Sequence, residues 1–346
     1  GSTDFREKFY ANYKNINFSK YFFESSNIKY AQYFLKLEAK NKSNLIEIHN
    51  SPAVFNHIIK KSPDKKVLIY FHNDPLTLRG SMTKKQRESI FKNAAAIIFI
   101  SEWTKKRFFK KLNSNTNDEK VSVVYSSVNK KKFNKNKEKI ILFVGKLNYS
   151  KGFDIFCKAI TRILDEFPSW KSCVIGDEPR AQIEVEHKNL TKLGFLNHDK
   201  VLEYYNRASI AVGCSKWDEP MGRVGLESSS RGCATIISAK GGLPETITNG
   251  IILNSVNEEQ VYQAIKKLIQ DSKYRKKLCH LSYKNFKNDL NSSVKKYDQI
   301  RDSVFNTKLN GSIFNINKNP SLRIMHVTNF SERHDGRLYF VSIGQK

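Results

Sequence analysis

The residues of this chain best suited to chemistry lie in the run Asp218-Glu219-Pro220-Met221-Gly222-Arg223-Val224-Gly225-Leu226-Glu227. Two carboxylates, Glu219 and Glu227, flank a glycine and an arginine. Carboxylates accept hydrogen bonds from vicinal hydroxyls, such as those of a ribose or a hexose. Gly222 opens unhindered backbone N–H groups, and Arg223 offers a planar fork suited to a diphosphate. Together they fit a ligand of the form sugar–diphosphate–ribose. A capped surface helix carrying unrelated acids is the competing reading. A second run, residues 143–152 (FVGKLNYSKG), joins a strand end to a helix. Gly145 permits a tight turn with close backbone approach to a phosphate. Lys146 and Lys151 bring two ammonium charges towards a helix N-terminus, which already favours anions. Alone, this run is equally an ordinary β–α turn with solvated lysines. A third, Gly241-Gly242-Leu243-Pro244-Glu245-Thr246, combines permissive turn residues with a proline suited to a first helical turn.

Those runs need elements to hold them. Residues 45–49 (LIEIH), 67–72 (VLIYFH) and 96–101 (AIIFIS) read as buried strands, and each ends in polar residues. Open α/β sheets bind ligands outside the carboxyl ends of their strands, so chemistry is expected at these tips. A strand at 121–125 leads into the basic stretch 130–139, read as a linker. A second set of strands begins with 139–144 (KIILFV), a continuous apolar run suited to burial on both faces. It continues through 173–175, 211–213, 235–237 and 251–253, with helices expected at 153–166, 200–206, 225–231 and 258–270. The expected class is therefore α/β, with two Rossmann-like parallel-sheet domains.

The bulk composition narrows the options. The 346 residues carry 39% hydrophobic side chains, enough for two cores without a staple. No run approaches the roughly 18 apolar residues of a membrane span, and no signal segment opens the chain. The five cysteines form no close pair, which speaks against a disulfide framework or zinc site and points to a reducing cytoplasm. The net charge of +27 would favour any polyanion, although lysine-rich composition alone accounts for it.

The order F-V-G-K-L-x3-K-G, E-P-M-G-R-x3-E and G-G-L-P-E-T resembles the donor-binding domain of family 4 glycosyltransferases with the GT-B fold. Glu219 and Glu227 match that family's E-x7-E spacing. Ile48-His49-Asn50-Ser51-Pro52, Phe71-His72-Asn73-Asp74 and Ile100-Ser101-Glu102 look like its first-domain strand tips. The resemblance implies two domains facing a cleft and retention of anomeric configuration. It implies a nucleotide-diphosphate sugar as donor substrate, with no cofactor and no metal. By the same resemblance Lys146 and Lys151 neutralise the diphosphate with Gly222 and Arg223. Glu227 holds the ribose, Glu219 faces the transferred sugar, and His72 lines the cleft. Gly145, Met221 and Phe195 complete the donor contacts, and Glu219, Lys151 and His72 form the catalytic set.

Residues 1–137 are expected as the acceptor-side domain and 138–282 as the nucleotide-sugar-binding domain, with a returning helix or linker at 283–310. The family's opening strand and Gly-rich loop are not found at the start of the chain. Residues 321–346 resemble them instead, with a strand at 323–327 and a loop at Asp335-Gly336-Arg337. The expectation is one module of a tandem enzyme; a permuted chain and tail exchange between copies are the alternatives. The partners implied are a glycan or lipid-linked acceptor in cell-surface polysaccharide or glycolipid synthesis. Residues 105–111 (KKRFFKK) suit peripheral contact with the anionic inner face of the cell membrane, or equally a helix with its phenylalanines packed in a core. Another enzyme on the same fold, such as an epimerase or phosphorylase, remains open. A polyanion- or nucleic-acid-binding protein is disfavoured, because no RNA-binding motif is present.

Overall fold

The computed structural model describes residues 26–181, 183–306 and 324–328. The chain divides into two compact units. Among the described residues the first takes 26–100, 104–124, 294–306 and 324–328, and the second takes 101–103, 125–181 and 183–293.

The first unit contains strands β1 (Leu45–His49), β2 (Val67–Phe71), β3 (Ala96–Phe99), β4 (Val121–Val123) and β11 (Ile324–Thr328). They form one parallel sheet in the order β11-β1-β2-β3-β4. Alternation along each strand divides its side chains between two cores. Ile46, Ile48, Ile69, Phe71, Ile97 and Phe99 pack on one face with helix α2 (Pro52–Lys61) and helix α4 (Glu102–Phe109). Leu45, Leu68, Tyr70 and Ile98 pack on the other with Tyr297, Ile300 and Val304 of helix α10 (Leu290–Asn306). Lys66 fixes the end of α10 by donating to the carbonyls of Val304 (2.8 Å) and Phe305 (2.9 Å). Helices α1 (Ser26–Asn41) and α3 (Lys84–Asn93) complete the unit, α3 opening with a Thr83–Gln86 capping box.

The tail strand lies beside β1 of its own chain, in register from Leu45 opposite Ile324 to His49 opposite Thr328. The loop Asp335-Gly336-Arg337 and residues 1–25 lie outside the described residues. Phe108 is buried against Phe71 and Phe99, both with ring centroids 5.3 Å away, and Phe109 against Phe99 at 6.3 Å. The phenylalanines of the KKRFFKK run therefore belong to the core and cannot enter a lipid surface. Arg107 of that run is committed to Asp74 at 2.6 Å. No described helix is long and apolar enough to cross a membrane.

The second unit contains β5 (Glu138–Val144), β6 (Lys171–Ile175), β7 (Leu190–Lys192), β8 (Ala208–Gly213), β9 (Ala234–Ser238) and β10 (Ile251–Leu253). The all-parallel order is β10-β9-β8-β5-β6-β7. Read from β7, this is the 3-2-1-4-5-6 arrangement of a dinucleotide-binding sheet, whose direction of winding reverses between β5 and β8. Helix α5 (Phe153–Glu166) buries Phe153, Phe156, Cys157, Ile160, Ile163 and Leu164, the three-and-four spacing of one helical face. Helices α6 (His198–Arg207), α7 (Val224–Ser230), α8 (Glu258–Gln270) and α9 (Ser272–Lys284) surround the sheet, three of them opened by Asn197, Asn257 and Asp271 caps.

The basic stretch at 130–139 is not a free linker. Phe133 packs on Tyr283 of α9 at 5.0 Å, and Lys130 lies 4.2 Å over the same ring. Lys137 donates to the carbonyls of Tyr205, Asn206 and Arg231.

Candidate functional site

The reversal between β5 and β8 leaves a crevice at their carboxyl ends, and the first two sequence runs both emerge there. β5 feeds the turn that starts at Gly145, whose φ of 153° is unfavourable to other residues. Asn148 accepts from the Lys151 amide at 3.0 Å, winding Tyr149–Lys151 into one 3-10 turn ahead of α5. This turn is stitched to the loop after β8: the Lys216 amide donates to the Ser150 carbonyl at 2.9 Å. Gly152 permits the approach, since at φ 70° a Cβ would stand 2.0 Å from the Cys214 carbonyl oxygen.

The stitching brings Lys151 and Glu219 together. Their ion pair closes at 2.8 Å, and Lys151 also sits 5.4 Å over the Trp217 ring. Glu219 is nearly buried, and Gly222 lies directly against it. A Cβ on Gly222 would meet Glu219 Oε2 at 2.8 Å and Leu243 Cδ2 at 2.5 Å. The Gly241-Gly242 loop holds the Glu219 backbone: Gly242 N–H donates to the Glu219 carbonyl at 2.7 Å. That glycine pair thus supports the carboxylate loop, with Pro244 in the short 3-10 turn Leu243–Thr246 behind it.

The second carboxylate has its own cation. Glu227, in the first turn of α7, accepts from Arg223 Nε at 2.8 Å and lies 3.0 Å from His198 Nε2. Arg223 Nη2 in turn stands 2.9 Å from the same imidazole nitrogen. A guanidinium only donates, so that one nitrogen cannot both accept from Arg223 and donate to Glu227. Burial opposes ionisation of Glu227, but the His198 hydrogen bond and the Arg223 charge outweigh it and hold the carboxyl below its ordinary range. Arg223 is thus engaged with Glu227, where the sequence reading aimed it at a diphosphate.

His198 was missed by that reading, which began the helix at Lys200. Asn197 was the available signal, because an asparagine cap there starts the helix at His198 and turns it towards Glu227. Lys146 is half-buried on the β5 turn, and Phe195 is 79% exposed beyond β7. Met221 differs from expectation: its side chain is buried, and Sδ accepts from the Ser126 amide at 3.3 Å, leaving its backbone as the part suited to a ligand.

In the first unit His72 follows β2 at the carboxyl edge of the sheet. Its Nε2 lies 3.1 Å from His49 Nδ1. Burial pushes the His72 imidazole down to about 4, so it is neutral at pH 7. All five cysteines are free thiols, and the described residues contain no His/Cys/Asp/Glu group arranged for a metal.

The sheet order is that of a dinucleotide-binding sheet, paired carboxylates and cations stand at its switch point, and the fold is GT-B. Residues 126–284 match the family described as "Glycosyl transferases group 1". The chain carries a group 1 glycosyltransferase domain, and the protein is a glycosyltransferase. It is 26% identical over 275 residues to spore coat protein SA of Bacillus subtilis, covering 69% of this chain and 72% of that one. It is 22% identical over 255 residues to the lipopolysaccharide 1,2-N-acetylglucosaminetransferase of Salmonella typhimurium, covering 65% and 63%. The solved structure of Anabaena Alr3699/HepE in complex with UDP superposes with a TM-score of 0.65 at 13% identity, covering 79% and 82%. At that identity the likeness is one of fold.

Proposed function

We propose that this glycosyltransferase moves a hexose from a nucleoside diphosphate sugar to a glycan or lipid-linked acceptor, with retention of anomeric configuration. The observation that carries the reading is the double pairing at the β5/β8 switch point, Lys151 with Glu219 and Arg223 with Glu227. A bound diphosphate is a better partner than a carboxylate for both cations, carrying more charge and more acceptor oxygens. When it takes them over, Glu219 and Glu227 are released to accept from hydroxyls, Glu219 from the transferred sugar and Glu227 from the ribose. Lys146, Lys151, Arg223 and the Gly222 amide then stabilise charge developing on the leaving diphosphate, the main contribution to lowering the barrier. The C–O bond to the leaving phosphate breaks as the acceptor oxygen bonds to the same carbon, and the acceptor proton passes to the phosphate. His72 is assigned to a hydroxyl of the transferred sugar, and Phe195 to the nucleotide.

The Salmonella relative, which acts on lipopolysaccharide, supports a cell-surface glycan or glycolipid acceptor at the cytoplasmic face of the membrane. With Phe108 and Phe109 in the core, any membrane contact would be electrostatic, through exposed lysines. A thermal-shift screen of UDP-, GDP-, ADP- and CMP-sugars tests the proposal, because a bound ligand raises the melting temperature by mass action. At least one of the three diphosphate sugars should raise it, and Glu227→Ala should abolish the rise; no shift with any of them, or a shift with the monophosphate CMP-sugar alone, refutes the reading.

A further inference from the structure

The tips of β5, β6 and β7 are laced together in strand order. A Cβ on Gly176, at the end of β6, would overlap the Gly145 carbonyl oxygen, so the two turns lie in direct contact. Gly176 N–H donates to the Gly194 carbonyl, in the loop after β7, at 2.8 Å. A Cβ on Gly145 or on Gly194 would meet nothing within 4 Å, so both turns border open space among the described residues. The exposed Phe195 comes next, and three residues on, His198 stands 3.0 Å from Glu227. A nucleotide with its diphosphate at the Gly145 turn and its ribose on Glu227 therefore directs its base at the tips of β6 and β7, beside Phe195.

At the β6 tip stands Glu178, a carboxylate only 9% exposed. Its Oε1 accepts from Arg180 Nε at 2.7 Å and its Oε2 from Arg180 Nη2 at 3.1 Å. Those hydrogen bonds hold the carboxyl below its ordinary range, and the charge of Lys146 on the β5 turn acts in the same direction, so Glu178 is ionised at pH 7. Arg180 is 83% exposed, and a pair with so solvated a cation is weakly held. What the guanidinium presents is two parallel N–H donors on one planar group. Guanine presents the same edge, its N1–H beside its 2-amino group. Adenine and cytosine offer an amino group beside a ring nitrogen that only accepts, and uracil one N–H between two carbonyls. Against those edges a carboxylate oxygen faces a lone pair, and a polar group left unmatched in this way rejects the analogue.

We propose that Glu178 is a specificity-determining residue that selects a guanine nucleotide, accepting from N1–H and the 2-amino group in place of the Arg180 fork. The donor is then a guanosine diphosphate sugar, an assignment that rests on the function proposed above. Isothermal titration calorimetry with GDP, IDP, ADP, CDP and UDP tests it. A bidentate contact of this kind should make GDP bind about 10–100-fold more tightly than ADP, CDP or UDP. IDP keeps N1–H but lacks the 2-amino group, and should bind about tenfold more weakly than GDP. Glu178→Ala should erase both the preference for GDP over UDP and the difference between GDP and IDP. Glu178→Gln, whose amide keeps one acceptor, should lie between. The IDP comparison uses the unaltered protein, so it decides even if the Glu178 substitutions fail to fold.

UDP, ADP or CDP bound as tightly as GDP, equal affinities for GDP and IDP, or a GDP preference that survives Glu178→Ala overturns the proposal. If in those cases the binding is lost in Lys151→Met, the functional reading stands and the base assignment alone fails. If none of the five diphosphates binds, the functional reading fails and the assignment falls with it.

Discussion

Replacing Glu227 by glutamine removes a charge while keeping the shape of the side chain. In the structure this carboxylate accepts from Arg223 at 2.8 Å and contacts His198 at 3.0 Å. Hydrogen bonds to charged groups contribute about 1.5–3 kcal/mol. Arg223 and His198 are each 31% exposed, and the amide oxygen still accepts from Arg223. Screening and that residual bond reduce the expected loss to about 1.5 kcal/mol. For a domain of this size that corresponds to a fall in Tm of about 3–6 °C. The pH dependence has a definite sign. The folded carboxyl titrates below its unfolded range, so its stabilisation is fully present above about pH 5 and is lost as pH falls through the folded pKa. The gap in Tm between wild type and Glu227→Gln should therefore be widest near pH 7 and close as pH falls through the folded pKa. Nucleotide binding supplies the second readout. At 100 times the dissociation constant a ligand stabilises by about 2.7 kcal/mol; binding tenfold weaker reduces this to about 1.4 kcal/mol at the same concentration. Differential scanning fluorimetry across pH, with and without the nucleoside diphosphate, measures both. A variant with wild-type Tm at pH 7 and an unchanged nucleotide shift refutes the pairing argument.

Lys151→Met leaves the nearly buried Glu219 without its cation and should cost about 1–3 kcal/mol, and it should also remove most of the thermal shift given by nucleoside diphosphates. Equal shifts in both proteins would exclude Lys151 from the diphosphate site. Arg301→Met leaves Glu47 buried without its cation and should cost about 3–5 kcal/mol in urea denaturation; a loss under 1 kcal/mol would contradict the docking of α10 on the first sheet. Phe108→Ala should cost a similar amount, about 3–5 kcal/mol, through a core cavity. In liposome co-sedimentation Phe108 has no part, so a correctly folded Phe108→Ala that specifically loses membrane binding would reverse its assignment to the core.

The elements and the donor-site runs were legible in the sequence because their signals are local. Buried parallel strands read as apolar runs, the faces of α5 and α8 as three-and-four spacing, and the turns as glycine beside lysine or arginine. The order of the three runs needed no contact information either. What the local signals lacked was direction across the chain. That Lys151 turns onto Glu219 depends on the Gly152 and Gly222 backbones bringing separate loops within van der Waals contact, whereas Arg223 meets Glu227 locally, four residues on. His198 enters the site only because α6 begins beside α7, and Met221 leaves it because Sδ finds the Ser126 amide. The first unit makes the point most plainly. Residues 45–49 announce a strand, and period two places Glu47 on the face opposite Ile46 and Ile48. Nothing near it in sequence says that Arg301, 254 positions later, will return on α10 to neutralise it. Nor does it say that Ile324–Thr328 will add the neighbouring strand. Period and turn chemistry were written along the chain. The partners of its buried charges were decided when distant helices closed over the sheets, where an unpaired ion would be too costly to leave.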